Sequence, residues 1–270
     1  MLEGMRAVVC VKHVPDGQSS RRIEEGRIVR GEDDTLNELD EFAIEAAVSL
    51  VEEHGGEVIA LTMGPEDASD ALLRALQMGA DRAIHIVDDQ LAGSDALQTA
   101  DVLAAAIKTI EFQDAHPVDV VFLGMASLDG MTSLVPSAVA TRLQWPYLSL
   151  ASQLELTGDN ARTVQITREA DGWTDTLEAP LPAVVSVTDQ LNEPRYPSFK
   201  SLKAARSKPL DEWRWADLTV AAGQLGIADI GPRGTLVDAE MVDRSAPGHV
   251  IEDTGDAGEQ LAQFIFDYLK

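Results

Sequence analysis

Side chains suited to bond chemistry are thinly spread in this sequence. Five histidines stand at 13, 54, 85, 116 and 249. None is placed with a nucleophile and an acid so as to argue a Ser-His-Asp relay. His54 abuts a helix stop and His116 precedes a proline, both surface positions; His13 follows an apolar run and is either a solvated turn residue or part of a ligand edge. The pairs Asp33-Asp34 and Asp88-Asp89 fall in loops, where solvated acid is commoner than a metal or acid–base site. What the spacing does offer is a nucleotide cradle. Lys12–Asp16, Met63-Gly64 and Gly124–Thr132 each follow an apolar run, and Gly64 and Gly124 allow close backbone approach. Thr132 and Ser133, expected at the start of a helix from about Met131 to Leu143, offer hydroxyls and amides to a phosphate. Neither GxGxxG nor GxxxxGK[ST] occurs, so this is no dinucleotide fingerprint or P-loop, and ordinary turn glycines are the other reading.

Strands must carry these segments. Ala7–Val11, Val58–Thr62, Ala83–Val87 and Val118–Leu123 are short apolar runs that suit buried parallel strands. Between them lie helical patterns: one begins at a cap, Asn37, with Leu39, Phe42, Ala43, Ala46, Ala47, Leu50 and Val51 on one face. A second opens at residues 64–67, and a third is capped by Ser94 or Asp95. Strand and helix alternating at this spacing predict a parallel sheet with helices on both faces and right-handed crossovers. Pro146 breaks the pattern. From Ser152 the chain reads as antiparallel strands turning at residues 157–160 and at Asp171-Gly172, with Val184–Val187 returning to the main sheet.

The predicted architecture is therefore α/β: a Rossmann-like, parallel-sheet nucleotide-binding core over residues 1–202, with a hairpin region at 152–180 and a loop at 189–203. An extended C-terminal arm, 203–270, follows. Residues 219–258 are rich in Gly and Asp, and patches such as Val237–Val242 form no obvious core. The helix Glu259–Leu269 puts Leu261, Phe264, Ile265 and Leu269 on an apolar side; such an arm is expected to wrap a partner subunit.

The chain of 270 residues carries a formal charge of −25, with 46 acidic against 21 basic residues. Such a field repels nucleic-acid phosphates and anionic lipid. Cys10 is the only cysteine and sits in an apolar strand, which excludes an internal disulfide or a cysteine metal site. No apolar run approaches the ~18 residues of a membrane span, and residues 1–6 lack a signal-peptide core. A cytoplasmic protein is expected.

Residues 166–203 carry a resemblance. LPAVV at 181–185 and LNEPRYP at 191–197 resemble the signature region of the beta subunit of electron-transfer flavoproteins, with Trp173, Asp175 and Ser186 departing from it. Fainter likeness covers roughly residues 1–210 through VKHVPD at 11–16, NELDEFA at 37–43, MGADR at 78–82 and LGMA at 123–126. The resemblance implies a heterodimer with a larger alpha subunit that holds most of a flavin adenine dinucleotide (FAD), while the beta subunit buries adenosine monophosphate (AMP). Carried over by position, the AMP-holding residues are Cys10, Asn37, Glu38, Leu39, Asp40, Met63, Gly124, Asp129, Thr132 and Ser133. The family's Asp-rich loop with Gln-x-Gly is matched only at Asp129 and Thr132; Gly130, Met131, Leu134, Val135 and Pro136 depart. Aromatic rings that the family often places near the flavin are absent at Gly17 and Leu39, which implies weaker stacking.

The loop at 189–203 reads either as presenting Tyr196 and Phe199 outward for contact with another protein or as folding both rings back onto its own domain. The family uses it to recognise partner dehydrogenases, through a leucine whose position is taken here by Phe199. Leu191, Arg195, Tyr196, Phe199, Lys200 and Lys203 are the docking candidates implied, with flavin dehydrogenases such as the acyl-CoA type as donors and a quinone oxidoreductase or other acceptor downstream. Trp213 and Trp215 read as surface or interface anchors, and Arg168, near Asp171, as a hairpin salt bridge or interface contact. Three other readings stand: a bifurcating beta subunit with a second FAD in the nucleotide site, an ATP-hydrolysing or adenylating enzyme on the same fold, and a stand-alone nucleotide-binding regulator.

Overall fold

The computed structural model describes residues 4–19, 22–24, 27–31, 33–228, 230–234, 236, 237, 239, 250 and 252–269. In chain order the first elements are β1 (Met5–Cys10), β2 (His13–Pro15), β3 (Ile23–Glu24), β4 (Arg27–Ile28), β5 (Asp34–Leu36), α1 (Glu38–His54) and β6 (Gly56–Met63). Next come α2 (Ser69–Met78), β7 (Arg82–Ile86), α3 (Ala96–Asp114), β8 (Val120–Gly124), α4 (Val135–Leu143) and β9 (Tyr147–Ala151). The remainder is β10 (Gln153–Thr157), β11 (Thr163–Ala170), β12 (Trp173–Pro180), β13 (Ala183–Val187), α5 (Phe199–Ala205), β14 (Leu210–Trp213), α6 (Trp215–Gln224) and α7 (Ala257–Tyr268).

Seven strands form one parallel sheet in the order β14-β7-β6-β1-β8-β13-β9. The alternation of side chains along each strand divides the interior in two. Ala7, Val9, Val58, Ala60, Phe122 and Val185 meet α1 and α2 on one face. Val8, Cys10, Ile59, Leu61, Val121 and Leu123 meet α3, α4 and α6 on the other. Burial on both faces explains why these strands read as continuous apolar runs. A separate antiparallel sheet, β10-β11-β12, covers the first core with Val164 and Ile166. The predicted α/β parallel-sheet core with an antiparallel hairpin region is thus what the chain forms.

Three segments differ from expectation. The helix expected from Met131 begins at Val135, because Met131 and Ser133 take left-handed backbone angles (φ 49° and 51°) and Pro136 suits only a first turn. Behind Pro146 lies the outermost parallel strand, β9, paired with β13. Residues 203–235, read as the start of an arm, belong to the main body: β14 pairs with β7, and Trp213, Leu218, Ala222 and Ile227 join the second core. The amine of Lys208, from the basic cluster, donates to the carbonyls of Leu76 and Ala80 at the end of α2.

The chain divides into two units, Met1–Arg21 with Val29–Thr235, and Arg22–Ile28 with Leu236–Lys270. In the second unit, β3 and β4 form a small hairpin and α7 leaves Leu261, Phe264, Ile265 and Leu269 exposed. Of the Val237–Val242 patch, residues 238 and 240–242 lie outside the described residues.

Candidate functional site

From β1 the chain moves outward to β6 and β7 on one side, then returns to β8 on the other. The strand order therefore reverses between β1 and β8, and open parallel sheets bind ligands at the carboxyl ends of such neighbours. Here those ends are Cys10–Lys12 and Gly124–Asp129, in register at Cys10 and Leu123.

The N-terminus of α1 is pressed against both. A Cβ added to Gly124 would stand 2.5 Å from Asp40 Oδ1 and 2.7 Å from the Leu39 carbonyl, so only glycine permits this approach. Gly64 likewise makes room for Ala68, whose Cβ would lie 2.7 Å away. Both glycines thus serve helix packing, a reason that spacing did not reveal. Asp40 Oδ2 accepts the Lys12 amide at 2.8 Å, and the carboxylate also accepts the Gly124 amide, so one side chain ties α1 to both strand exits. Asn37, fully buried, does not cap its helix by a side-chain bond. Its Nδ2 donates to the Ala126 carbonyl (2.9 Å) and its Oδ1 accepts the Leu128 amide (3.0 Å), which shapes the loop after β8.

Burial sets the charge state of this cluster. It pushes the Asp40 carboxyl up to about 7 against the opposing hydrogen bonds from Asn37, Lys12 and Gly124. It also pushes the Cys10 thiol well up, with the charge of Asp40 adding to the shift, so Cys10 is a packed thiol and no nucleophile. Asp129 behaves oppositely. Although its side chain is only 3% exposed, Lys12 Nζ donates to both its oxygens (2.8 and 2.9 Å) and the Arg30 guanidinium pairs with it. Despite desolvation, these cations hold its carboxyl well below the usual range. Arg30 also donates to the His13 carbonyl (3.1 Å). His13 is buried in β2 beside Asp34, with Nε2 unpartnered, so the solvated-turn reading gives way.

Cys10, Asn37, Asp40, Gly124 and Asp129 are therefore brought together. Glu38 is exposed, Leu39 and Met63 are half-buried, and Thr132 and Ser133 are exposed in the loop before α4. Sequence reasoning missed Lys12 and Arg30 as partners of Asp129. Lys12 had the signal of following a strand; Arg30, in a charged loop, had none. In the loop before α4, Ser133 has φ 51° and Leu134 φ −89°, an alternation of backbone handedness of the kind found in anion-binding concavities.

The 189–203 segment divides by burial. Leu191 packs against the first core. Arg195 faces its own helix α1 through Glu45 and Glu52. Tyr196 and Phe199 are 88% and 85% exposed, and Lys200 and Lys203 are exposed on α5. Arg74 stands 5.9 Å over the Tyr196 ring. Elsewhere, Arg168 pairs with Asp175 (2.8 Å) rather than Asp171, and donates to Ser149. Trp213 is buried and Trp215 half-buried against the second core, so neither is a surface anchor. No helix among the described residues is long and apolar enough to cross a membrane.

The family model for the electron transfer flavoprotein domain matches residues 26–218. The electron transfer flavoprotein subunit beta of Mycobacterium leprae (strain TN) is 38% identical over 266 residues, 96% of each chain. That of Mycobacterium bovis (strain ATCC BAA-935 / AF2122/97) is 36% identical over the same length and share. Protein FixA of Azorhizobium caulinodans is 37% identical over 237 residues, 86% of this chain and 81% of the relative. With likeness running through nearly the whole chain, the protein belongs to the electron transfer flavoprotein family, among its beta subunits.

Proposed function

We propose that this chain works as one half of a heterodimeric electron carrier, supporting an FAD held mainly by an alpha subunit and holding AMP in the cleft between β1 and β8. The observation that carries the nucleotide reading is the loop after Asp129. Its own carboxylate is neutralised by Lys12 and Arg30, the Ser133 and Leu134 backbones alternate in hand, and α4 begins directly behind them. Amides and a helix N-terminus without a free acid fit a phosphate. Asn37 and Asp40 fix the loop from beneath and would leave its amides preset.

When bound, the flavin supplies reversible electron acceptance. This chain's residues bind and position. Leu39 offers an aliphatic side chain where the family often has a ring, Phe199 enters a pocket of a partner dehydrogenase, and Lys200 and Lys203 follow with charge. The exposed apolar side of α7 and the segment before it would grip the alpha subunit. A quinone oxidoreductase or other acceptor would take the electrons onward.

Co-expression with the larger subunit tests this reading. A heterodimer carrying one FAD and one AMP, released and identified by mass spectrometry, is expected. A solitary chain without flavin in the presence of that subunit would sink it. The departure of Leu134–Pro136 from the family's AMP-holding pattern favours a second reading, a bifurcating type with a second FAD in the same cleft, which the same extraction distinguishes as two FAD and no AMP. Phe199→Ala is expected to weaken dehydrogenase coupling about ten- to a hundredfold, the value of one buried ring, without changing stability.

A further inference from the structure

The exposed rings Tyr196 and Phe199 sit on a segment whose charged tie to α1 is one guanidinium. Arg195 Nε donates to Glu45 Oε2 (2.8 Å) and Nη2 to Glu45 Oε1 (2.9 Å), a two-pronged pair. Nη1 and Nη2 also donate to Glu52 Oε1 and Oε2, at 2.7 and 2.9 Å. The Arg195 amide adds a bond to Glu45 Oε2 (3.0 Å), and Asn192 Nδ2 donates to the Phe42 carbonyl (3.0 Å). Each nitrogen of the guanidinium is thus engaged within the chain. Glu45 and Glu52 stand seven residues apart on α1, the same helix whose N-terminus carries Asn37 and Asp40 into the cleft.

We propose that Arg195 is a positioning residue for partner recognition: by gripping Glu45 and Glu52 it presets the 191–199 segment on α1, at a fixed remove from the cleft between β1 and β8. This rests on the docking role of Phe199 proposed above and adds what holds Phe199 in place. A planar guanidinium with two carboxylates fixes both distance and orientation, which one ammonium cannot do. A segment ordered before encounter spares the complex the loss of loop freedom at binding. α1 then acts as a rod with the cleft at one end and the docking segment on its flank.

The heterodimer, loaded with its cofactors, is assayed with an acyl-CoA dehydrogenase as electron donor, and separately with a small dye that needs no docking. In Arg195→Ala, hydrogen exchange at residues 191–199 is expected to quicken and KM for the dehydrogenase to rise about tenfold, with kcat, dye reduction and nucleotide content unchanged. Arg195→Lys, with one ammonium in place of the fork, is expected to restore only part of both the KM and the exchange protection. If Phe199→Ala leaves KM unchanged, the docking reading itself fails. If Phe199→Ala raises KM while Arg195→Ala alters neither exchange nor KM, the positioning role is overturned and docking stands. A KM change without an exchange change also overturns it. Should Arg195→Ala not assemble, Glu52→Gln decides on the same readouts, with a rise of about threefold expected.

Discussion

α1 holds two loops by opposite means. At its N-terminus, Asn37 and Asp40 are buried and grip backbone amides and a carbonyl through short polar side chains. Farther along, Glu45 and Glu52 grip one cation from a partly exposed face; their side chains are 11% and 62% exposed. In the dry site every polar atom needs its partner, and loss of one strands another. In the wet site water replaces what is lost, and the gain lies in geometry more than in stability. The difference teaches that α1 is anchored by its buried end and uses a partly exposed flank to position.

The comparison is broken most forcefully at Gly124. Gly124→Ala drives a methyl against Asp40 and the Leu39 carbonyl, and a loss of about 2–3 kcal/mol in chemical denaturation is expected. A near-neutral result would mean that α1 does not press on β8. Asn37→Ala strands the Leu128 amide and the Ala126 carbonyl. About 2 kcal/mol should be lost, and the 126–134 loop should lose hydrogen-exchange protection.

Asp40 sharpens the contrast through pH. Its folded value is raised to about 7, above its unfolded one. Its contribution is therefore fully present below the ordinary carboxylate range and is lost as pH rises through about 7. Stability measured from pH 4 to 8 should show this falling component in the wild type, and Asp40→Asn should lack it. An equal slope in both would place the carboxyl in water. Glu45 and Glu52 run the other way. Desolvation raises Glu45 but is outweighed by its bonds to Arg195, and the hydrogen bond from Arg195 lowers Glu52. Their contribution is present above the ordinary carboxylate range and lost on acidification. Glu52→Gln, the mildest change, should shift thermal stability by less than about 0.5 kcal/mol while still loosening the 191–199 segment.

How much could be read beforehand depended on range. Continuous apolar runs announced β1, β6, β7 and β8, because a strand buried on both faces needs no polar alternation. The edges were harder. β9 and β14 show half-exposed patterns, YLSLA and LDEW, that resemble loop, and their membership in the sheet is fixed only by pairing with β13 and β7. Arg195 could be placed in an outward loop, yet its partners lie 150 and 143 residues away in sequence, a distance that no local pattern reports.

The sequence by itself determined the alternation of strands and helices and, through its motifs, the family, because these follow from local periodicity and short runs of residues; as a set, Cys10, Asn37, Asp40, Gly124 and Asp129 were pointed to only by the resemblance. Tertiary structure alone decided what each one touches. It turned Gly124 into a seat for α1, Asp40 into a buried staple and Arg195 into a clamp, since charge state and hydrogen bonding depend on which distant segments exclude the water around them.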